Sequence, residues 1–432
     1  MTLYSTEAQQ FGLAKETVRA TAESAPTKWY PTKGLAELNY ALKHLNDDAL
    51  RGIAAMYPPI AGRKEGSGKV AMYLDAQSAP EFFYSLLGGV SSAEETVITI
   101  DNSNKYLDFD IGGSELHATI TTGSYAIGTS SATASTLCKA IKDALFAADA
   151  TGTYTVTYSR STKLFTIARS TGTLNLKWNT GTNTASSIAA TIGFSTAANS
   201  TGSTSYTGTS TVNYAFKHTL TRAATIQKPS YTFFVDRGMG VLKYNLGTVR
   251  KIALKSGVDN LIEMDTDLLF KTEASGSIGS PSYPTQRYLG FQAVDFKIAG
   301  SSNTDVKDWS INIDNKAKGL PVLNASQDIS DIVAPDRLTI DGGFTIYFEN
   351  TTERDKFIAN TSVALRMLCA GDVINGSSKW TVDINIYNAR YKAFPYGEDQ
   401  GLLAAKTTFE GFYSSSDSKE IQVDITNADV SY

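Results

Sequence analysis

Residues 175–195 read NLKWNTGTNTASSIAATIGFS, inside a stretch where Lys177 is the only charged side chain between Arg169 and Lys217. Their reading decides whether the middle of this 432-residue chain is a Ser/Thr linker or a folded unit. A disordered tract is poor in apolar residues and has no use for periodicity. Here Leu174, Leu176 and Trp178 alternate, which predicts a strand, and Ile188, Ile192 and a stop at Gly193 predict a short helix.

The flanking residues carry the same message. Leu107, Phe109 and Ile111 alternate with Asp108 and Asp110, and Leu116, Ala118 and Ile120 alternate with His117 and Thr119. Both patterns predict half-buried strands. Leu137, Ile141, Ala144, Leu145 and Ala148 fall on one helical face. Tyr154, Val156 and Tyr158 lead through a turn near Ser161 into the hairpin partner KLFTIA. The order β, β, α, β, β, β, α makes 95–208 a small inserted α+β domain. Its tail, STAANSTGSTSYTGTS (195–210), reads as a linker.

On either side, 1–94 and 209–432 read as one discontinuous β-domain. Residues 1–33 read as an extended N-terminal arm. From Leu35 to Leu45 a helical and a strand period compete. The polar stretch 58–69 (PPIAGRKEGSGK) reads as a loop before a strand at 70–74. In SAPEFFYSLLGG, Pro80 and Gly88 punctuate a helix. After 211, segments such as WSINIDN and WTVDINIY give each strand one wet and one dry face. TTERDKFIAN is the one confident helix among them. The fold class is mainly β: a sandwich or partly closed barrel with one flanking helix, plus the inserted small α+β domain.

Chemical signatures are weak. GRKEGSGKV departs from a phosphate loop, since Gly62 and Gly68 are one residue too far apart and Val70 replaces the hydroxyl. The three histidines, His44, His117 and His218, form no zinc or triad motif. The pairs Asp108/Asp110 and Asp265/Asp267, and Asp314 beside Asn315, could serve calcium or a glycosidase dyad. The polar face of a strand is the favoured reading, because no oxygen-rich loop surrounds them. Cys138 and Cys369 belong to no CxxC pair and are expected in the core. No catalytic residue, cofactor or metal site is expected. The formal charge of −4 disfavours a DNA-gripping surface. No signal-peptide pattern and no apolar run of about 20 residues is found, so synthesis in the cytoplasm without a membrane station is expected.

The segments FGLAKETVRATAESAPTKWYP (11–31), APEFFYSLLGG (79–89), AFKHTLTRAATIQKPSYTFFVDRG (215–238), AVDFKIAG, WSINIDN and IQVDITNADVSY (421–432) resemble tail tube proteins of long, non-contractile bacteriophage tails. The 95–208 segment looks like a module inserted into various phage structural proteins. The resemblance implies a subunit of rings, six-membered by expectation, stacked into a tube that conducts double-stranded DNA without binding it specifically. It also implies tape-measure and terminator or baseplate partners, a place in the virion, and no catalytic residues. Self-assembly contacts are expected from the arm, 58–69 and 272–286, with Lys15, Glu16, Arg63, Lys64, Glu65 and Tyr283 as candidates. Host glycans are the expected ligand class for the module. The competing readings are a β-rich adhesin or carbohydrate-binding structural protein, and a depolymerase using a carboxylate pair.

Overall fold

The computed structural model describes residues 6–47, 57–95 and 97–432. Among these, nineteen strands join one branched sheet that does not close into a barrel, so the sandwich reading holds. Its first strands are β1 (Gln10–Lys15), β2 (Lys28–Tyr30), β3 (Glu37–Leu45), β4 (Ile60–Tyr73) and β5 (Gly88–Glu94). Later strands are named by their residues.

The alternation that predicts these strands is what buries them. Trp309, Ile311 and Ile313 lie in the core while Ser310, Asn312 and Asp314 stay half-exposed. Ile311 sits opposite Leu254 and Ile313 opposite Ile252. One strand, Val241–Gly257, serves two parts of the sheet. Its first half pairs with Tyr231–Asp236, and its second with Glu263–Phe270 and Val306–Asp314. It turns at Leu246, which has φ 52°, and Gly247, where a Cβ would lie 2.4 Å from the Phe233 ring.

Helix α1 (Ala79–Leu87) is buried on nearly every side and packs against Val241–Gly257 and Phe216–Arg222. It starts with a proline in its first turn and ends at Gly88, φ 90°, as its sequence predicts. Helix α2 (Leu137–Ala148) buries Leu137, Ile141, Ala144 and Leu145. Helix α3 (Thr352–Ile358) is the short helix of TTERDKFIAN.

Among the described residues, strands between β5 and Phe216–Arg222 pair only with one another: Tyr154–Ser159 with Leu164–Arg169, and Tyr106–Asp110 with Leu116–Thr119 and Leu174–Leu176. The 188–192 helix is instead a pair of 3-10 turns, Thr184–Ser186 and Ala190–Ile192, the second stopped at Gly193 with φ 77°.

Three expectations are corrected. Residues 195–210 are not a free linker, because Ser200–Ser203 and Ser205–Thr207 add strands to two small sheets. Their hydroxyl side chains carry no apolar stripe, so backbone pairing and side-chain hydrogen bonds hold them: the Tyr206 hydroxyl to the Leu174 carbonyl at 2.8 Å, Trp178 Nε1 to the Ser200 hydroxyl at 3.1 Å, and Thr166 with Thr207 at 2.9 Å. Residues 58–69 are mostly strand, since β4 begins at Ile60. The stretch is polar because it forms a solvated ribbon with β3, which settles the 35–45 ambiguity as strand. The N-terminal arm holds a packed strand: Phe11, Leu13 and Ala14 of β1 are buried, with Phe11 opposite Val235 and Leu13 opposite Phe233. Residues 1–5 of that arm lie outside the described residues.

Candidate assembly surfaces

Segments far apart in the sequence are tied together at the edge of the core, around buried Glu81. Lys28 of β2 pairs with Glu81 of α1 and, at 2.6 Å, with Asp429, and its ammonium lies 4.5 Å from the centre of the Tyr432 ring. Tyr432 in turn donates to Asp429 at 3.0 Å and packs edge-on against His218. Burial pushes the Glu81 carboxyl up, and Lys28 only partly offsets it. At Asp429 burial is the largest single influence and acts in the same direction, but Lys28 together with hydrogen bonds from Gln77 and Tyr432 outweighs it, and the carboxyl is held below its ordinary value. These residues lock the fold and leave assembly to other surfaces.

Several of the described strands pair on one side only, among them the short Lys28–Tyr30, Thr272–Ser275 and Tyr396–Asp399, and two of them, β5 and β3, end the long series of the sheet. Among the described residues β5 pairs only with Phe216–Arg222, and β3 pairs only with β4. They terminate one continuous series of hydrogen-bonded strands that runs through Ile421–Asn427, Ser378–Ala393, Leu402–Phe412, Thr339–Tyr347, Val306–Asp314, Val241–Gly257, Glu263–Phe270 and β4. Such edges are templates for a further strand.

Apolar side chains are exposed next to one of these edges. The β4 residues that pair with Glu263–Phe270 begin at Gly66, so 41–45 and 60–65 project beyond that neighbour. Leu42, Leu45 and Ile60 are exposed there. Gln327 and Asp328 lie against this ribbon: the Lys64 amide donates to the Gln327 carbonyl at 2.8 Å, and Tyr40 hydrogen-bonds Asp328. Just before them Leu320 and Val322 are exposed, and Leu323 is wholly so. Exposed apolar side chains that form a large contiguous patch are a feature of interaction surfaces.

The six candidate residues fall at three places. Arg63, Lys64 and Glu65 are on the ribbon, where Arg63 pairs with Glu65 at 2.7 Å and Lys64 lies over the Tyr40 ring. Tyr283 is exposed and lines a cleft of about 610 Å³ with Glu7, Gln9, Thr32 and Leu35. The segment around it, 272–286, is anchored by Thr272–Ser275 pairing and by buried Ile278. Lys15 is exposed at the end of β1, above the Tyr84 ring. Glu16 is buried, and its carboxylate accepts from the Ala20 and Leu246 amides and the Ser230 and Thr232 hydroxyls. Sequence reasoning passed over exposed Leu320, Val322 and Leu323 in LPVLNASQ (320–327), whose lack of any period was their signal.

The sites of possible chemistry resolve as structure. Cys138 and Cys369 are free and buried, and burial pushes the Cys138 thiol up to about 12. Asp265 and Asp267 are half-exposed along the wet face of Glu263–Phe270, as read from the sequence. Asp108 and Asp110 are not on a wet face. Both are buried beneath 175–183, where Asn175 and Lys177 hold Asp110 and Asn183 holds Asp108. No helix among the described residues is long and apolar enough to cross a membrane.

Comparison with curated proteins gives no significant match. A family described as phage tail tube protein matches residues 6–409, spanning the β-domain, its apolar ribbon and the intervening segment. A β-rich chain with open sheet edges is compatible with a tube subunit, and on the family match over most of its length the chain belongs to the phage tail tube protein family, as a structural component of the virion tail.

Proposed function

We propose that copies of this chain close head to tail into six-membered rings that stack into the conduit of a long, non-contractile tail. The observation that carries this is the pair of open edges, β3 and β5, at the two ends of one strand series. A heterologous contact between unlike edges generates a ring when its rotation closes. The apolar ribbon and the exposed leucines at 320–323 then supply the contact between successive rings.

The wet face running across Glu263–Phe270, Val306–Asp314 and Thr339–Tyr347 is the proposed bore. It mixes Asp265, Asn312, Asp341 and Glu410 with Lys251 and Lys255, a balance that gains little from releasing DNA counterions. Double-stranded DNA passes it without specific binding. Tape-measure and terminator or baseplate proteins are the proposed partners at the tube's interior and ends.

Residues 95–208 are the proposed outer module. The chain leaves and rejoins the β-domain at one point, where the Glu95 amide donates to the Ala215 carbonyl at 2.9 Å. Sedimentation and negative-stain electron microscopy of the purified full chain test the proposal. Rings and hollow tubes at raised concentration are the expected result. A chain that stays single and is missing from tail shafts overturns it.

A further inference from the structure

We propose that Asp108, Glu115, His117 and Asn183 bind a first-row divalent metal ion of the Zn²⁺ class. The four residues come from three segments of the 95–208 stretch. Asp108 of Tyr106–Asp110 lies directly across from His117 of Leu116–Thr119, Glu115 just precedes that strand, and Asn183 caps the 3-10 turn Thr184–Ser186.

Their donor atoms converge. His117 Nδ1 is 2.7 Å from Asp108 Oδ1, 3.5 Å from Glu115 Oε1 and 3.2 Å from the Asn183 side-chain amide, which is itself 2.9 Å from Asp108 Oδ1. Tetrahedral ligands about 2.05 Å from a zinc ion stand roughly 3.3 Å apart, so small movements bring these atoms around one centre. An imidazole nitrogen with carboxylate and amide oxygens suits zinc or manganese better than the all-oxygen shell of calcium.

If His117 Nδ1 carries a hydrogen, that N–H and the Asn183 NH₂ both donate to Asp108 Oδ1, which fills both lone pairs of that oxygen. If it carries none, its lone pair faces the Asp108 carboxylate. A half-turn of the Asn183 amide presents its oxygen instead, and all four groups then offer lone pairs to a cation. The surroundings hold the ligands in place. Asp108 is buried, with its other oxygen 2.5 Å from the Asn183 amide nitrogen, and Glu115 accepts from the Thr182 amide at 2.7 Å. Lys177, the nearby cation, is engaged by Asp110 at 2.8 Å. The His117 ring is 43% exposed, which gives an ion a way in.

The test uses the full chain without a polyhistidine tag, stripped with EDTA, given Zn²⁺ and passed through gel filtration. Metal analysis by mass spectrometry should find about one zinc per chain, and zinc should raise the thermal midpoint. Glu115→Gln retains an acceptor for Thr182, so the turn stays folded. It and His117→Gln should each weaken zinc binding at least tenfold. Wild type that keeps no zinc, or variants that keep as much as wild type, would overturn the proposal and leave an Asp–His–Asn hydrogen-bonded clamp.

Discussion

Lys28 and Asp429, 401 positions apart in the sequence, meet in an ion pair of 2.6 Å that also takes in buried Glu81. Removing the cation strands two carboxylates. Lys28→Ala is expected to destabilise the chain by about 3 kcal/mol at pH 7, measured by urea unfolding. The deficit should shrink as the pH falls. Glu81 already has a raised carboxyl, and without Lys28 the folded chain binds its proton still more tightly than the unfolded chain does. Acid therefore favours the variant's folded state, down to the ordinary glutamate range near pH ~4.3. A deficit that grows between pH 7 and 5 contradicts this.

Glu16 separates a folding role from an assembly role. Glu16→Ala leaves the Ala20 and Leu246 amides and the Ser230 hydroxyl without their carboxylate acceptor. A loss of about 3 kcal/mol in the stability of the single chain is expected. Unchanged unfolding with impaired assembly would place the residue at an interface instead.

Gly68 of β4 faces a crowded neighbour. A Cβ there would lie 2.1 Å from the Glu37 carbonyl oxygen and 2.6 Å from Leu38 Cδ2, and neither the β3 backbone nor its buried leucine can yield cheaply. Gly68→Ala should cost about 2 kcal/mol and lower the urea midpoint. Gly113→Ala, where no atom lies within 4 Å, is the matched control.

The ribbon and its neighbouring loop should govern polymerisation and leave folding alone. Ile60 and Leu323 are exposed in the single chain, 66% and 108% respectively. Ile60→Lys with Leu323→Lys should leave the circular dichroism and thermal midpoint within about 0.5 kcal/mol of wild type, as surface changes do. Tubes should vanish from electron micrographs. Tubes of normal length would remove this surface from the interface.

The dry faces were legible in the sequence, because burial on one side of a strand writes a period of two. Trp309, Ile311 and Ile313 show it, and so do Val156 and Tyr158. Helix α1 was legible through Pro80 and Gly88. What stayed hidden were strands without such a face. Ser200–Ser203 and Ser205–Thr207 are held by backbone pairing, and β4 from Ile60 to Glu65 is solvated, so composition alone read them as linker and loop. Of the candidate contacts, Arg63, Lys64 and Glu65 proved to share one ribbon. Glu16 carried no sequence sign of burial, because its four donors come from positions 4 to 230 residues away.

The central claim is that backbone groups left open on β3 and β5 are satisfied by neighbouring copies. Amide hydrogen exchange, read by mass spectrometry on peptides covering 37–45 and 88–94, compares dilute single chains with assembled tubes. At least tenfold slower exchange of both segments in the tube is the predicted result. Tubes in which both exchange as fast as in the single chain would contradict the account.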